Sequence, residues 1–165
     1  MAVIEEKQHL IRSKIICGED VMLEKAIAIA AMAHEGQKDK YEGAYILHPL
    51  RLMMKMATEE EMMVAVLHDV VEDTSWTIDA LRSEGFSERV LDALDHLTKR
   101  KNDETSEEEP YEDFIQRAKK NTLARKVKIA DLEDNMDMKR ITKLKKKDLE
   151  RLEKYHRSWL ELKNY

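Results

Sequence analysis

Between Met62 and Val71 the chain reads Met-Met-Val-Ala-Val-Leu-His-Asp-Val-Val, an apolar run broken only by His68 and Asp69. A helix that is apolar on every side belongs in a core. This segment therefore demands a fold in which other elements surround it. It also carries His68 and Asp69, with Glu72 and Asp73 just beyond. The four fall at i, i+1, i+4 and i+5, so they share one side of a helix expected to run to about Asp73. Buried charge is costly unless it is paired or bound to metal. The expectation is a central buried helix whose polar side binds a metal ion, with chemistry beside it.

The remaining sequence supplies helices to cover that segment. Only four Gly and two Pro punctuate 165 residues, which favours an all-α bundle over a strand-and-turn fold. The length fits one domain over residues 1–165, and an apolar share of 42% is enough for one core. Asp20 can cap a helix running to about His34, stopped by Gly36. Pro49 suits the first turn of a second helix. Thr58 and Glu61 form a capping box ahead of the core helix. Thr77 and Ser87 can cap two further helices, the first ended by Gly85 and the second reaching about Leu97. Residues 99–109 read as a charged connector. Pro110 opens a helix to about Lys119, and Leu123, Val127, Ala130 and Asp134 share the inner stripe of the next. Leu149, Leu152, Trp159, Leu160 and Leu162 mark an amphipathic closing helix over about 148–163. Residues 1–17 are ambiguous between loop and helix.

Charge and composition exclude several functions. A net charge of −5 with 38% charged residues of both signs describes a solvated surface that does not suit nucleic acid. No apolar run reaches membrane-span length and no signal peptide is visible, so a cytoplasmic setting is expected. Cys17 is the only cysteine, which leaves no intrachain disulfide. Met53, Met54, Met56, Met62 and Met63 read as core filling. His9, His96 and His156 read as surface or satisfied histidines, and His34 as a structural hydrogen-bonding residue or a catalytic one.

His68 and Asp69 need further ligands to hold a metal. His48 sits at a loop-to-helix junction beside Pro49. Asp131 adjoins the apolar positions Val127 and Ala130, where an unpaired carboxylate would be expensive. Two imidazoles and two carboxylates make a mixed nitrogen and oxygen site, suited to Mn, Fe or Zn more than to Ca. A metal with an open position lowers the pKa of bound water. Glu72 and Asp73, one turn on, can orient that water or move protons. Lys38, Lys40 and Lys128 can attract phosphate. The run Lys145-Lys146-Lys147 reads as an exposed helix turn with weak anion attraction.

Five segments carry a family resemblance: Ala33-His34-Glu35-Gly36-Gln37, Tyr45-Ile-Leu-His48-Pro49-Leu50, Ala65 through Thr74, Leu97-Thr98-Lys99, and Val127 through Met136. In order, spacing and text they resemble the HD phosphohydrolase superfamily, and most nearly its RelA/SpoT-type (p)ppGpp hydrolase branch with the small alarmone hydrolases. The motif-bearing core covers about residues 23–140. The resemblance implies an HD-domain helical bundle with His48, His68, Asp69 and Asp131 as metal ligands and Glu72 and Asp73 as the catalytic acidic pair. It implies Lys40 and Asn135 near a small-molecule nucleotide substrate, to which Lys38 is added as a lysine that can attract phosphate, and Mn as the usual metal, with Fe, Zn or Mg as alternatives. The implied reaction removes the 3′-pyrophosphate of (p)ppGpp, with no synthetase domain following. It implies neither a nucleic acid nor a membrane partner and leaves the oligomeric state open.

Two departures bear on substrate. Asp39 stands where that branch places an arginine against the guanine base, and Asp137-Met138 replaces its common Arg-Thr pair. Two rival readings follow. One is an HD phosphohydrolase acting on another nucleotide, such as a nucleoside monophosphate, NADPH or a cyclic nucleotide. The other is a non-catalytic nucleotide-binding HD module that regulates a partner. Retention of Glu72 and Asp73 argues against the second.

Overall fold

In the computed structural model, which describes residues 21–100, 108–141 and 144–165, the fold is organised by the helix that Thr58 starts. Thr58 is extended, its hydroxyl accepts from the Glu61 amide, and the Glu61 carboxylate accepts from the Thr58 amide in return. This capping box opens α3 (Glu59–Leu67), in which Val64, Ala65, Val66 and Leu67 are wholly buried. Packed around it are α1 (Met22–Ala33), α2 (Leu47–Met53), α6 (Glu88–Leu97) and α8 (Thr122–Asn135).

The core helix does not run unbroken to Asp73. Its ladder stops at Leu67 and resumes as α4 (Val70–Asp73), with His68 and Asp69 at the break. The His68 imidazole takes the Ala65 carbonyl at 2.8 Å, the acceptor that an unbroken helix would give to the Asp69 amide. Asp69 opens to ψ −6° while staying right-handed, and the Asp73 amide still reaches the Asp69 carbonyl at 2.9 Å. The polar residues thus keep their common side, and the break turns two of them toward neighbouring helices.

Thr77 caps α5 (Ile78–Ser83), Ser87 caps α6, and Gly85 between them adopts a left-handed φ of 95°. Pro110 precedes α7 (Tyr111–Lys120), and Asn121 caps α8 by accepting from the Ala124 amide at 2.9 Å. A 3₁₀ turn, Met138–Arg140, leads toward α9 (Lys146–Lys163). A second core of Phe114, Ile115, Leu132 and Leu162 joins α7, α8 and α9. An isolated antiparallel bridge pairs Lys38 with Ala44.

Three expectations of burial need correction. Met54 is 78% exposed because it lies just past the end of α2 on the outer side, whereas Met53, Met56 and Met63 are core. Leu149 and Leu160 face solvent at 52% and 41%, so α9 docks through Ser158, Leu162 and the partly buried Tyr155 and Trp159. His96 Nδ1 donates to the Asp92 carbonyl, and exposed His156 stacks on Trp159, both in keeping with surface or satisfied histidines. The Asp20 cap, residues 1–17 with His9 and Cys17, and positions 101–107 of the charged connector lie outside the described residues.

Candidate metal centre and cleft

The end of α3, the start of α2 and the middle of α8 bring four side chains together. His68 Nε2 lies 2.9 Å from Asp69 Oδ2 and 4.0 Å from Asp131 Oδ1. His48 Nε2 lies 3.1 Å from Asp131 Oδ1 and 3.8 Å from Asp69 Oδ2. Atoms held about 2.1 Å from one ion sit roughly 3.0 to 3.4 Å apart when adjacent and about 4.2 Å when opposite. The donor atoms of His48, His68 and Asp69 all lie within 4.8 Å of one another, and Asp131 adjoins the group through its approaches to the two imidazoles. His68 Nε2 is moreover buried without a hydrogen-bond partner, although Asp69 is near. A cation between the imidazoles satisfies that nitrogen, so the donor set fits a divalent metal.

The surrounding contacts fix each donor. His48 Nδ1 meets Asp134 Oδ2 at 2.7 Å, and Arg51 grips the same carboxylate through Nε and Nη2 at 2.7 and 2.9 Å. His68 Nδ1 donates to the Ala65 carbonyl. Both rings therefore turn Nε2 to the centre, the usual arrangement behind metal-binding histidines. Lys128 Nζ and Asn135 Nδ2 donate to Asp131 at 2.8 and 2.6 Å, and the Tyr45 hydroxyl donates to Asp69 Oδ2 at 2.5 Å.

Electrostatics follow from this crowding. Burial disfavours the charged His48 ring, but hydrogen bonds to Asp131 and Asp134, with the charges of Asp131 and Asp69, outweigh it and push its pKa up to about 9. His68 is also raised, because the negative charges of Asp69 and Asp131 outweigh its burial. Burial opposes ionisation of Asp131, yet Lys128 and the histidines hold it well below the carboxylate range. The raised pKa values favour protons on the imidazoles beside these carboxylates, a positive charge that a divalent cation would supply in their place.

Beside these groups opens a cleft of about 350 Å³, lined among others by Lys38, Lys40, Glu72, Asp73 and Asn135. Every residue expected at the site therefore reaches either the four-donor cluster or this cleft. Glu72 is braced by Lys99, whose amide donates to it at 3.1 Å and whose ammonium lies 3.5 Å away. Asp73 has its pKa raised, by burial first and then by the charges of Asp69 and Glu72. Asp39 lines the cleft but also folds back on its own loop, accepting from the Tyr41 and Gly43 amides at 2.8 and 2.9 Å. That staple holds a turn in which Glu42 takes a left-handed φ of 66°. Lys128, one of the lysines that could attract phosphate, is partly buried, pairing with Asp131 and lying over the Phe114 ring.

Sequence reasoning missed the supporting residues. Asp134 was legible as a carboxylate on a buried stripe, three residues from Asp131, and Tyr45 lay inside a matching segment. Arg151 and Tyr155 also line the cleft, from α9. Nothing local distinguishes them among the many charges of that helix.

No family model matches the chain. A GTP pyrophosphokinase of Streptomyces coelicolor is 31% identical over 76% of this chain, and a guanosine-3′,5′-bis(diphosphate) 3′-pyrophosphohydrolase of Aquifex aeolicus is 36% identical over 47%. The chain spans only 16% and 12% of those relatives. Among solved structures, a metazoan ortholog of SpoT, described as hydrolysing ppGpp and acting in starvation responses, matches with a TM-score of 0.69 at 22% identity. The match covers 89% of this chain and 88% of that one, and it establishes the shared fold.

Proposed function

We propose that this chain, similar in sequence to RelA/SpoT-type enzymes and in fold to a SpoT ortholog, is an HD-domain, metal-dependent 3′-pyrophosphohydrolase of (p)ppGpp. The observation that carries the reading is the convergence of two imidazoles and two carboxylates beside the Glu72 and Asp73 pair in one cleft. Relatives bear the names of both synthesising and hydrolysing enzymes. A donor cluster with an adjacent acidic pair suits addition of water.

His48, His68, Asp69 and Asp131 would hold the ion, Mn by the family's usage, with Fe, Zn or Mg as substitutes. When bound, such an ion supplies Lewis acidity to a phosphoryl oxygen and to water. Glu72, held by Lys99, orients the attacking water and accepts its proton. The bond between phosphorus and ribose O3′ breaks as the water oxygen bonds to phosphorus. Asp73, whose pKa is raised by burial and by the charges of Asp69 and Glu72, is the group placed to give a proton to O3′. Products are pyrophosphate and GDP, or GTP from pppGpp. Lys38 and Lys40 attract the phosphates, and Asn135 keeps its carbonyl oxygen for the nucleotide while its amide nitrogen orients Asp131. The chain acts as one domain, in the cytoplasm; no described helix is long and apolar enough to cross a membrane.

The test is product analysis with Mn-loaded protein and ppGpp, alongside Glu72→Gln and Asp73→Asn. Each variant should keep the metal and lose about 100-fold or more in turnover. Full turnover in both variants would refute the assigned roles. Asp39 favours a second reading, because its carboxylate repels phosphate and cannot stack on a base as arginine does. If ppGpp stays intact while NADPH or another nucleotide is cleaved, the broader HD phosphohydrolase reading replaces the alarmone one.

A further inference from the structure

Both carboxylate oxygens of Glu72 meet Lys99. Oε2 accepts from the Lys99 amide at 3.1 Å, and Oε1 lies 3.5 Å from the Lys99 ammonium. That amide belongs to the peptide unit joining Thr98 to Lys99. The carbonyl of the same unit accepts from Arg117 Nη2 at 2.8 Å. A peptide unit is planar and stiff, and in the trans form its N–H and C=O point in opposite directions. Whatever grips the oxygen therefore aims the hydrogen. Arg117 and Glu72 hold one rigid unit from its two ends.

Arg117 lies on α7 with its side chain 12% exposed. Nε and Nη2 fork onto the Glu109 carboxylate at 3.0 and 2.6 Å, and Nη1 donates to the Asp95 carbonyl at 2.6 Å. The guanidinium also rests over the ring of Phe114, a member of the second core. Asp95 and Thr98 stand at the C-terminal end of α6, where carbonyls lack intrahelical partners and a cation is favoured. Glu109 completes the arrangement: its carboxylate accepts from the Arg100 amide at 3.2 Å, and its own amide donates to the Arg100 carbonyl at 2.8 Å. Residues 98 to 100 are thus anchored by one guanidinium and its carboxylate. Arg117 itself stands outside the cleft lining.

We propose that Arg117 is a positioning residue for Glu72: through the Thr98–Lys99 peptide unit it fixes the direction in which the Glu72 carboxylate faces the cleft. The inference rests on the reading of Glu72 as the group that orients water, and it places a determinant of that geometry on a different helix. A lysine at position 117 has a single ammonium and cannot serve a carboxylate fork and two carbonyls together. With the peptide unit free to tilt, Glu72 loses its fixed direction, while the metal donors, on other segments, stay in place.

Two measurements on Mn-loaded protein test the link. The first combines Arg117→Lys with Glu72→Gln. In the wild-type background Arg117→Lys should lower kcat for ppGpp about tenfold and leave KM within about twofold, a misplacement costing less than loss of the group itself. In the Glu72→Gln background it should lower kcat by less than about twofold, because the carboxylate it serves is already gone. Equal losses in both backgrounds would mark a general structural effect and overturn the proposal. The second follows amide hydrogen exchange and needs no substrate. In Arg117→Lys the Lys99 amide should exchange about tenfold faster while the amides of α3 keep their protection. An unchanged Lys99 amide would overturn the proposal as well. Should Arg117→Lys fail to fold, Lys99→Pro compared with Lys99→Ala takes its place. Proline deletes the amide, and Thr98, at φ −88° and ψ 121°, already has a conformation that precedes proline. Lys99→Pro should lose about tenfold more kcat than Lys99→Ala; equal kcat values would sink the link. If wild type leaves ppGpp intact, the hydrolase reading falls, and the exchange measurement alone decides whether Arg117 holds the Lys99 amide.

Discussion

Asp134 illustrates how much of this site depends on a residue that touches no reactant. It holds His48 by Nδ1 and is itself clamped by two Arg51 bonds. Replacing it with Asn lets the amide present either donor or acceptor to the ring, so the orientation of Nε2 is no longer enforced. Asp134→Asn should weaken metal affinity by about 10- to 100-fold, the usual loss for such supporting carboxylates, as read by competition with a chelator. Asp131→Ala removes a donor outright and should abolish metal and activity together. Asp39 has two functions to separate. An arginine there would restore a base-stacking cation, but it would also remove the acceptor for the Tyr41 and Gly43 amides. Asp39→Asn keeps the acceptor and deletes the charge. It should lower KM for a phosphorylated nucleotide and leave thermal stability nearly unchanged; a raised KM would show that the carboxylate itself contacts substrate.

At the scale of elements, legibility tracked locality. Caps at Thr58, Thr77 and Ser87 are set by residues three apart, and all three were readable from sequence. The break in the core helix was not, because it depends on which carbonyl the His68 ring takes in three dimensions. The four-donor cluster was legible because charge on apolar stripes is conspicuous. The contribution of α9 was not, since Arg151 and Tyr155 resemble every other surface residue of that helix until the bundle closes. What fastens α9 is the small second core, with Leu162 1% exposed against Phe114, Ile115 and Leu132. Leu162→Ala should cost about 2 to 5 kcal/mol, measured by urea unfolding. Because α9 carries Arg151 and Tyr155 into the cleft, the same variant should raise KM at temperatures where it remains folded. Metal affinity should hold, since no metal-donor residue lies on α9.

For the whole molecule, the metal centre ties stability to pH. His48 has its pKa raised from 6.5 to about 9 in the metal-free fold. A group with a raised folded pKa contributes stability that is fully present below its unfolded pKa and is lost as pH rises through the folded value. The metal-free protein should therefore lose stability between about pH 6.5 and pH 9, with His68, also raised, adding to the loss. Metal binding has the opposite slope, because the ion must displace those imidazole protons and competes better as they leave. Affinity should rise with pH until about 9 and then level off. The two slopes combine: the gap in Tm between metal-loaded and chelator-treated protein should widen steadily from pH 6.5 to 9. Thermal unfolding across that window, at fixed free metal concentration, measures it directly. A gap that stays constant would mean that the imidazoles carry no protons for the ion to displace, and that the carboxylates are neutralised by Lys128 and Arg51 alone.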